Sequence, residues 1–192
     1  MSGAPPASYS YHLARQTADA LRRQARQIIG VFIWEAENNV AKRTVSYGEC
    51  VASATMLAFA LELYLKSLLL LCRCPVPKTH NLVTLYRRLP DKQRQTILAI
   101  YDKSAEGFAP DACVISMSVG QGDEDDLHGN AALDASLEAV LDRCKDAFEN
   151  WRYFHETAVD GGPRVSLRFE YQRLDWICGA IDLHIPAGTR VE

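Results

Sequence analysis

Glu62 and Lys66 are the first residues in this sequence whose types and spacing could do chemistry, because they stand four apart inside a long apolar stretch. Residues four apart share one face of a helix and can form an ion pair. Leaving either charge buried alone would be unfavourable by several kcal/mol, on the order of the desolvation penalty of an ion. Two interpretations carry equal weight: an ion pair at the edge of a helical bundle, or a polar pocket that orients other residues or binds a ligand.

A second polar group lies in segment 149–156, where Arg152 stands three residues before His155. That spacing makes the two side chains neighbours on a helix surface. A guanidinium beside an imidazole can hold a phosphate and supply a general acid or base near neutral pH. Spacing alone favours the alternative, a hydrogen-bonded core histidine with Arg152 paired to Glu156 or to Glu62.

His80 occupies the short polar loop that runs from Lys78 to Leu82. Loop side chains held on a rigid scaffold are frequently used for function, so His80 is a candidate site residue. The alternative is local, since Thr79 or Asn81 could cap the helix predicted to start at Leu82.

Motifs for other chemistries are absent. The sequence contains no Ser-His-Asp order that indicates a catalytic triad, no Gly-rich phosphate loop and no dinucleotide fingerprint. The acidic run 123–126 with His128 lacks the calcium-loop pattern and is predicted to keep a loop solvated. We predict no metal site and no cofactor, because the cysteines lack zinc-binding spacing and are expected to be reduced, buried apolar residues. They stand at positions 50, 72, 74, 113, 144 and 178.

Hydrophobic periodicity predicts that a helical bundle positions these residues. The second helix is expected to open with a capping box, Ser46 to Glu49. Two alternating segments, Cys113–Val119 and Arg164–Phe169, could pair as a small two-stranded ribbon. The fold class is therefore all-α, an up-and-down bundle of four to six helices with a small accessory ribbon. The predicted helices span about 9–43, 46–73, 82–89, 91–105, 131–156 and 169–183.

The same pattern predicts one domain over 9–185, with a long irregular loop at 106–130 and tails at 1–8 and 186–192. The start of the chain lacks the basic and apolar regions of a secretory signal. The longest apolar run, 56–72, contains two charges and fits a buried core helix better than a membrane span. We therefore expect a cytoplasmic protein without membrane contact.

Charge limits the class of partner. With 21 basic and 24 acidic residues the formal net charge is −3, which argues against strong sequence-independent binding to duplex DNA. Arg15, Arg22 and Arg26 nevertheless share one side of the first predicted helix. A solvated helix face is favoured there over a phosphate-facing surface, because basic faces are common.

Taken in order, these segments resemble the HEPN superfamily. Segment 60–69 is similar to the family's Glu-x-x-x-Lys core helix, and Thr79-His-Asn-Leu82 resembles the Gly/Thr-His-Asp/Asn-Leu segment of many bacterial members. Trp151–Glu156 resembles the Arg-Tyr-x-x-Glu ending of the late helix. The three segments lie between residues 50 and 156, more than half of the chain.

The resemblance implies a four- or five-helix bundle that is commonly a homodimer. Many members are metal-independent ribonucleases of toxin–antitoxin and phage-defence systems, and others bind nucleotides, RNA or a nucleotidyltransferase partner. The nucleases carry an Arg separated from a His by four to six residues. Here Arg152 and His155 are closer than that, whereas Arg73 and His80 fit the spacing but enclose two prolines.

Three hypotheses follow. The preferred one is a HEPN-like module that binds a nucleotide, RNA or a partner protein without turnover. The second is a metal-independent ribonuclease with Arg152, His155 and His80 as catalytic residues. The third is a structural or assembly protein, in which the same charges form a buried network that fixes helix register and the function lies in an assembly surface. The ligand-binding residues of the preferred hypothesis are Glu62, Lys66, Lys78, Asn81, Tyr153 and Glu156.

Overall fold

The computed structural model of the chain describes residues 10–40, 44–108, 114–119, 134–152 and 165–186. For 115–119, 151–152 and 165–168 it describes the backbone alone. The described residues are mostly helical, which confirms the all-α bundle.

Helix α1 (Tyr11–Glu37) begins at Ser10, whose hydroxyl accepts a hydrogen bond from the Leu13 amide at 3.3 Å. Its fully buried residues Ala18, Ala25 and Ile29 are seven and four apart, so one stripe of the helix faces the core. The helix ends at Glu37, six residues before the predicted end at residue 43. The next two residues are asparagines, and the second takes a left-handed φ of 50°, which stops the helix.

Helix α2 (Tyr47–Leu71) is the central helix of the fold and packs against α1. The predicted capping box is confirmed: Ser46 accepts from the Glu49 amide at 3.3 Å, and the Glu49 carboxylate accepts from the Ser46 amide at 2.7 Å. By length and composition α2 could cross a membrane, but most of its apolar window is buried inside the fold. Core helices of globular proteins share this property.

The capping box predicts a pH-dependent part of the stability. The Ser46 amide and hydroxyl bind the Glu49 carboxylate and hold its pKa below its ordinary value of 4.5. A carboxylate with a lowered folded-state pKa stabilises the fold above the unfolded-state pKa, and this stabilisation is lost as the pH falls through the folded-state pKa. In urea titrations, the stability difference between wild type and Glu49→Gln should therefore be present at pH 7 and shrink below about pH 4.5. Glu37→Gln, at the exposed end of α1, serves as control, and a difference that stayed constant to pH 3 would contradict the prediction.

Two further helices follow the loop after α2. Helix α3 (Leu82–Arg87) is short, and α4 (Asp91–Ala105) packs against α7 (Tyr171–Asp182). The α4–α7 contact includes the Tyr101 and Trp176 rings, whose centroids are 6.5 Å apart. α7 also packs against α2, so α2 contacts both α1 and α7 at the centre of the core.

The predicted ribbon is confirmed. Strand β1 (Ile115–Val119) pairs antiparallel with β2 (Val165–Phe169), and Ile115 stands opposite Phe169. Both strands have the alternating pattern of a ribbon with two different faces. The chain between the two strands includes the described residues 134–152, whereas 120–133 and 153–164 lie outside the described residues.

The prediction of one unbroken helix over about 131–156 is wrong. The structure has two short helices, α5 (Leu137–Arg143) and α6 (Ala147–Arg152), with a turn at 144–146. The turn contains no Gly or Pro, so tertiary contacts account for the break. At the turn, the Lys145 carbonyl accepts from the Leu82 amide at 3.0 Å instead of continuing the helical ladder.

Candidate functional site

Glu62, Lys66 and His80 form the most concentrated polar cluster on the central helix. The Glu62 carboxylate is 1% exposed, and its two oxygens bind different partners. Oε1 lies 2.6 Å from Lys66 Nζ, and Oε2 lies 2.9 Å from His80 Nδ1. The ion pair expected from the spacing of Glu62 and Lys66 is thereby confirmed, and the histidine joins it from 18 positions along the chain.

Hydrogen bonds from the two neighbours of His80, Thr79 and Asn81, hold the loop that carries this histidine. Asn81 caps α3, because its Oδ1 accepts from the Thr84 amide at 2.9 Å, and its Nδ2 donates to Asp146 Oδ1 at 3.2 Å. The predicted local role of Asn81 as a cap is therefore confirmed. Thr79 Oγ1 accepts from the Asn81 amide at 3.1 Å. These bonds attach the loop to the turn between α5 and α6 and set the position of the imidazole.

An aromatic wall lies beside the cluster. The Phe148 ring on α6 has its centroid 5.2 Å from the His80 ring and 4.9 Å from the Phe59 ring. Phe148 is not among the site residues predicted from the sequence, because nothing in its position along the chain shows that the loop with His80 would meet it.

The cluster has a defined chemical capacity. If His80 Nδ1 donates its proton to Glu62, the other ring nitrogen, Nε2, is left as an acceptor or base on the opposite edge of the ring. The His80 side chain is 45% exposed and that of Lys66 is 22% exposed, so both reach the surface from a buried carboxylate. The arrangement can bind an anion, and it can also orient an imidazole for proton transfer.

An open groove of about 480 Å³ continues from Lys66 along the surface between α1 and α2. Most of the described residues that line it are aliphatic, and Lys66 and Lys78 are the charged ones among them. The described lining residues are Ser10, Leu13, Ala14, Thr17, Leu63, Lys66, Leu70, Val76, Pro77 and Lys78.

The structure says less about the candidate site residues predicted near the end of the late helix. Arg152 is the last residue of α6, a helix that packs against α2, and the structure describes its backbone alone. Tyr153, His155 and Glu156 lie outside the described residues. Of the nine predicted site residues, the structure brings Glu62, Lys66 and His80 into contact, and Lys78 lines a groove together with Lys66. The Asn81 side chain binds Thr84 and Asp146 instead of joining the cluster.

Two of the arginines on one side of α1 are less exposed than the solvated helix face predicted from the sequence. Arg26 is 61% exposed as expected, but Arg15 and Arg22 are only 15% and 16% exposed. Arg22 binds both carboxylate oxygens of Asp175 on α7, at 2.7 and 3.2 Å, and Arg15 binds Asp182 at 2.7 Å. The interpretation as a solvated face is therefore wrong for these two, because α7 brings carboxylates against them.

These ion pairs hold α1 against α7. Burial opposes the charged form of Arg22, but the hydrogen bond from its guanidinium to Asp175 prevails and raises its pKa above the ordinary value. Gly179 permits the close approach, since a Cβ there would lie 3.1 Å from Arg22 Nη2. Nearby, the Tyr64 hydroxyl donates to Asp19, and burial raises the Tyr64 pKa.

The structure also contains a cluster of charged residues around Glu170 that the sequence did not predict. Glu170, at the start of α7, is 3% exposed and binds Arg143 at 2.5 Å and Arg173 at 3.5 Å. No sequence spacing connects Arg143 with Glu170, which stand 27 positions apart. The group joins α5 to α7 and lies in the structural framework rather than beside the His80 cluster.

The cysteines behave mainly as core residues. Cys50, Cys144 and Cys178 are buried, and burial raises the pKa of Cys144 to about 12, which keeps that thiol protonated. Cys72 and Cys74 are half-buried, and Cys113 lies outside the described residues. Within the described part of the chain, no three His, Cys, Asp or Glu side chains are grouped so as to hold a metal ion.

Comparisons of the chain with protein-family models, with curated proteins and with solved structures found no match.

Proposed function

We propose that the chain is a HEPN-like binding domain, expected to be a homodimer, whose Glu62–Lys66–His80 cluster binds a phosphate group of a nucleotide or RNA. The family resemblance of the sequence motivates the context, a defence or toxin–antitoxin system in which a nucleotidyltransferase or another protein is the partner. The local chemistry of the cluster motivates the ligand.

One observation carries the proposal: a single buried carboxylate holds two cationic or potentially cationic groups at the surface. Glu62 contributes one negative charge and is 1% exposed, so a ligand meets Lys66 and His80 rather than the carboxylate. Lys78 lies two residues before His80 and adds a further positive charge. An ammonium and an imidazolium both donate charge-assisted hydrogen bonds to phosphate oxygens.

The test is binding of AMP and of a mixed single-stranded RNA decamer, measured by titration calorimetry at low salt. His80→Gln should weaken binding about tenfold, because a charge-assisted hydrogen bond to the phosphate is lost. Lys78→Ala should weaken it less, since an exposed ammonium contributes mainly long-range attraction.

Lys92→Ala, which removes an exposed lysine of α4, is the matched control and should leave the affinity unchanged. Circular dichroism establishes that each variant is folded. Equal affinity of wild type and His80→Gln for both ligands, or no binding by wild type, would refute the phosphate site.

A ribonuclease is the second candidate, and the contact between Glu62 and His80 favours it. A carboxylate that accepts from Nδ1 fixes the tautomer in which Nε2 is basic, as a general base for a 2′-hydroxyl requires. His80 thus deserves testing alongside Arg152 and His155.

Cleavage of a mixed RNA pool in EDTA distinguishes the two candidates. If the protein is a ribonuclease, wild type cleaves, and His80→Ala loses about 10²-fold or more of the rate. His155→Ala and Arg152→Ala test the late-helix residues in the same assay. Absence of cleavage by wild type excludes this candidate under the conditions tested, and loss in His155→Ala but not His80→Ala would assign the base to the late helix.

A further inference from the structure

The groove between the start of α1, the end of α2 and loop 76–78 has a composition that the phosphate site does not explain. The described residues of its lining are largely aliphatic, and Leu13 is 65% exposed within it, so an apolar patch is open to solvent there. The groove holds about 480 Å³, within the range of about 300–1,000 Å³ typical of small-molecule sites.

The aliphatic side chains that line the groove favour a ligand with an aliphatic chain. Among the described residues that line it, none is aromatic, so a nucleotide base has no ring on which to stack. Leucine, valine and proline side chains instead offer the surface that a flexible methylene chain covers, with a gain proportional to the apolar area removed from water. The aliphatic lining residues are Leu13, Ala14, Leu63, Leu70, Val76 and Pro77.

The positive charge of the two lysines in the groove favours a ligand with an anionic head group. Lys66 and Lys78 line it, and its described lining includes no carboxylate. Glu62 satisfies only one of the three N–H donors of Lys66, through the contact at 2.6 Å. A carboxylate at this end of the groove would therefore find two ammonium groups with donors to spare.

We propose that this groove binds a fatty carboxylate of medium chain length, with the chain along α1 and α2 and the carboxylate between Lys66 and Lys78. This ligand class goes beyond the proposed function, although both sites use Lys66. A fatty acid in the groove would therefore compete with a phosphate for that ammonium group.

Titration calorimetry of the full chain with decanoate, below the concentration at which decanoate aggregates, tests the proposal. We expect one site per chain. Acetate lacks the chain and decylamine carries the opposite charge, so both should bind at least about tenfold more weakly. Binding of decylamine as tightly as decanoate would overturn the proposal, because it would indicate a merely apolar surface, as a partner helix would cover. No decanoate binding would overturn it as well.

Two variants locate the site. Thr17→Trp should fill the groove and abolish decanoate binding. Thr96→Trp is a matched control, because both threonines are exposed and donate to the carbonyl four residues earlier at 2.9 Å. Lys78→Glu should weaken decanoate about tenfold, and Lys92→Glu should not. Unchanged binding in folded Thr17→Trp or Lys78→Glu would overturn the assignment.

Different variants test the phosphate site and the groove, so either proposal can be refuted without the other. His80 does not line the groove, so His80→Gln should impair AMP binding and leave decanoate binding intact. Thr17→Trp should have the opposite pattern. Loss of both ligands in both folded variants would overturn the assignment of a distinct groove site.

Discussion

Replacing Asp175 with alanine is expected to lower the free energy of unfolding by about 3 kcal/mol, whereas Asp182→Ala should lower it by less than about 1 kcal/mol. Both carboxylates lie on α7 and bind arginines of α1, so the two variants remove the same kind of contact. They differ in burial: the Asp175 side chain is 7% exposed and that of Asp182 is 29% exposed.

The burial of the lost carboxylate and the partners that remain for each arginine together explain the difference in stability. Asp175→Ala leaves the guanidinium of Arg22, itself 16% exposed, without its bidentate carboxylate and with only the backbone carbonyl of residue 175 as acceptor. Removing one member of a buried pair leaves an uncompensated charge, which is costly. Arg15 is similarly buried at 15% exposed, but it also lies 4.0 Å from Asp19, so it keeps a second carboxylate when Asp182 is lost.

Urea denaturation of the two variants at neutral pH measures the effect. The double variant Arg22→Leu with Asp175→Ala should recover part of the loss, because no buried charge is then left alone. Equal destabilisation by Asp175→Ala and Asp182→Ala would show that burial does not control these pairs.

Lys66→Met is expected to lower the free energy of unfolding by about 3 kcal/mol, and Glu62→Gln by about 1 kcal/mol or less. The asymmetry follows from exposure: Glu62 is 1% exposed, whereas the Lys66 side chain is 22% exposed. Without Lys66, a buried carboxylate keeps only its contact with His80. Without the charge of Glu62, the ammonium can still turn toward water, and the glutamine amide can bind both former partners.

The double variant Glu62→Gln with Lys66→Met decides whether the interaction is a coupled pair. It should be more stable than Lys66→Met alone, since the buried charge has been removed. Additive effects of the two substitutions would contradict the pairing. Because Glu62→Gln is expected to keep the fold, it also allows the binding and cleavage assays to separate the charge of Glu62 from its structural role.

The sequence predicted the features whose partners are near in the chain. The capping box at Ser46, the pair Glu62–Lys66 and the cap at Asn81 each involve residues three or four apart. Their contacts form whenever the helix forms, because helix geometry alone brings such residues together. The ribbon was also predictable, since two alternating segments of five residues had few other ways to pair.

The site itself required the tertiary structure. Nothing in the spacing of Glu62 and His80 indicates that the histidine takes the second carboxylate oxygen, or that Phe148 lies beside it. The break at 144–146 has the same origin, because the bond from Leu82 to Lys145 depends on how two distant segments pack.

The ion pairs between α1 and α7 show most clearly which features follow from the sequence and which depend on the tertiary structure. Sequence periodicity placed Arg15 and Arg22 on one side of a helix, yet it could not reveal that Asp182 and Asp175, 167 and 153 positions away, would face them. Local geometry follows from the chain's own helical repeat, and the sequence therefore predicted most of the helices and the contacts between residues three or four apart within them. Long-range pairing depends on the relative placement of packed helices, so only the tertiary structure decided which charges are buried together and which remain available to a ligand.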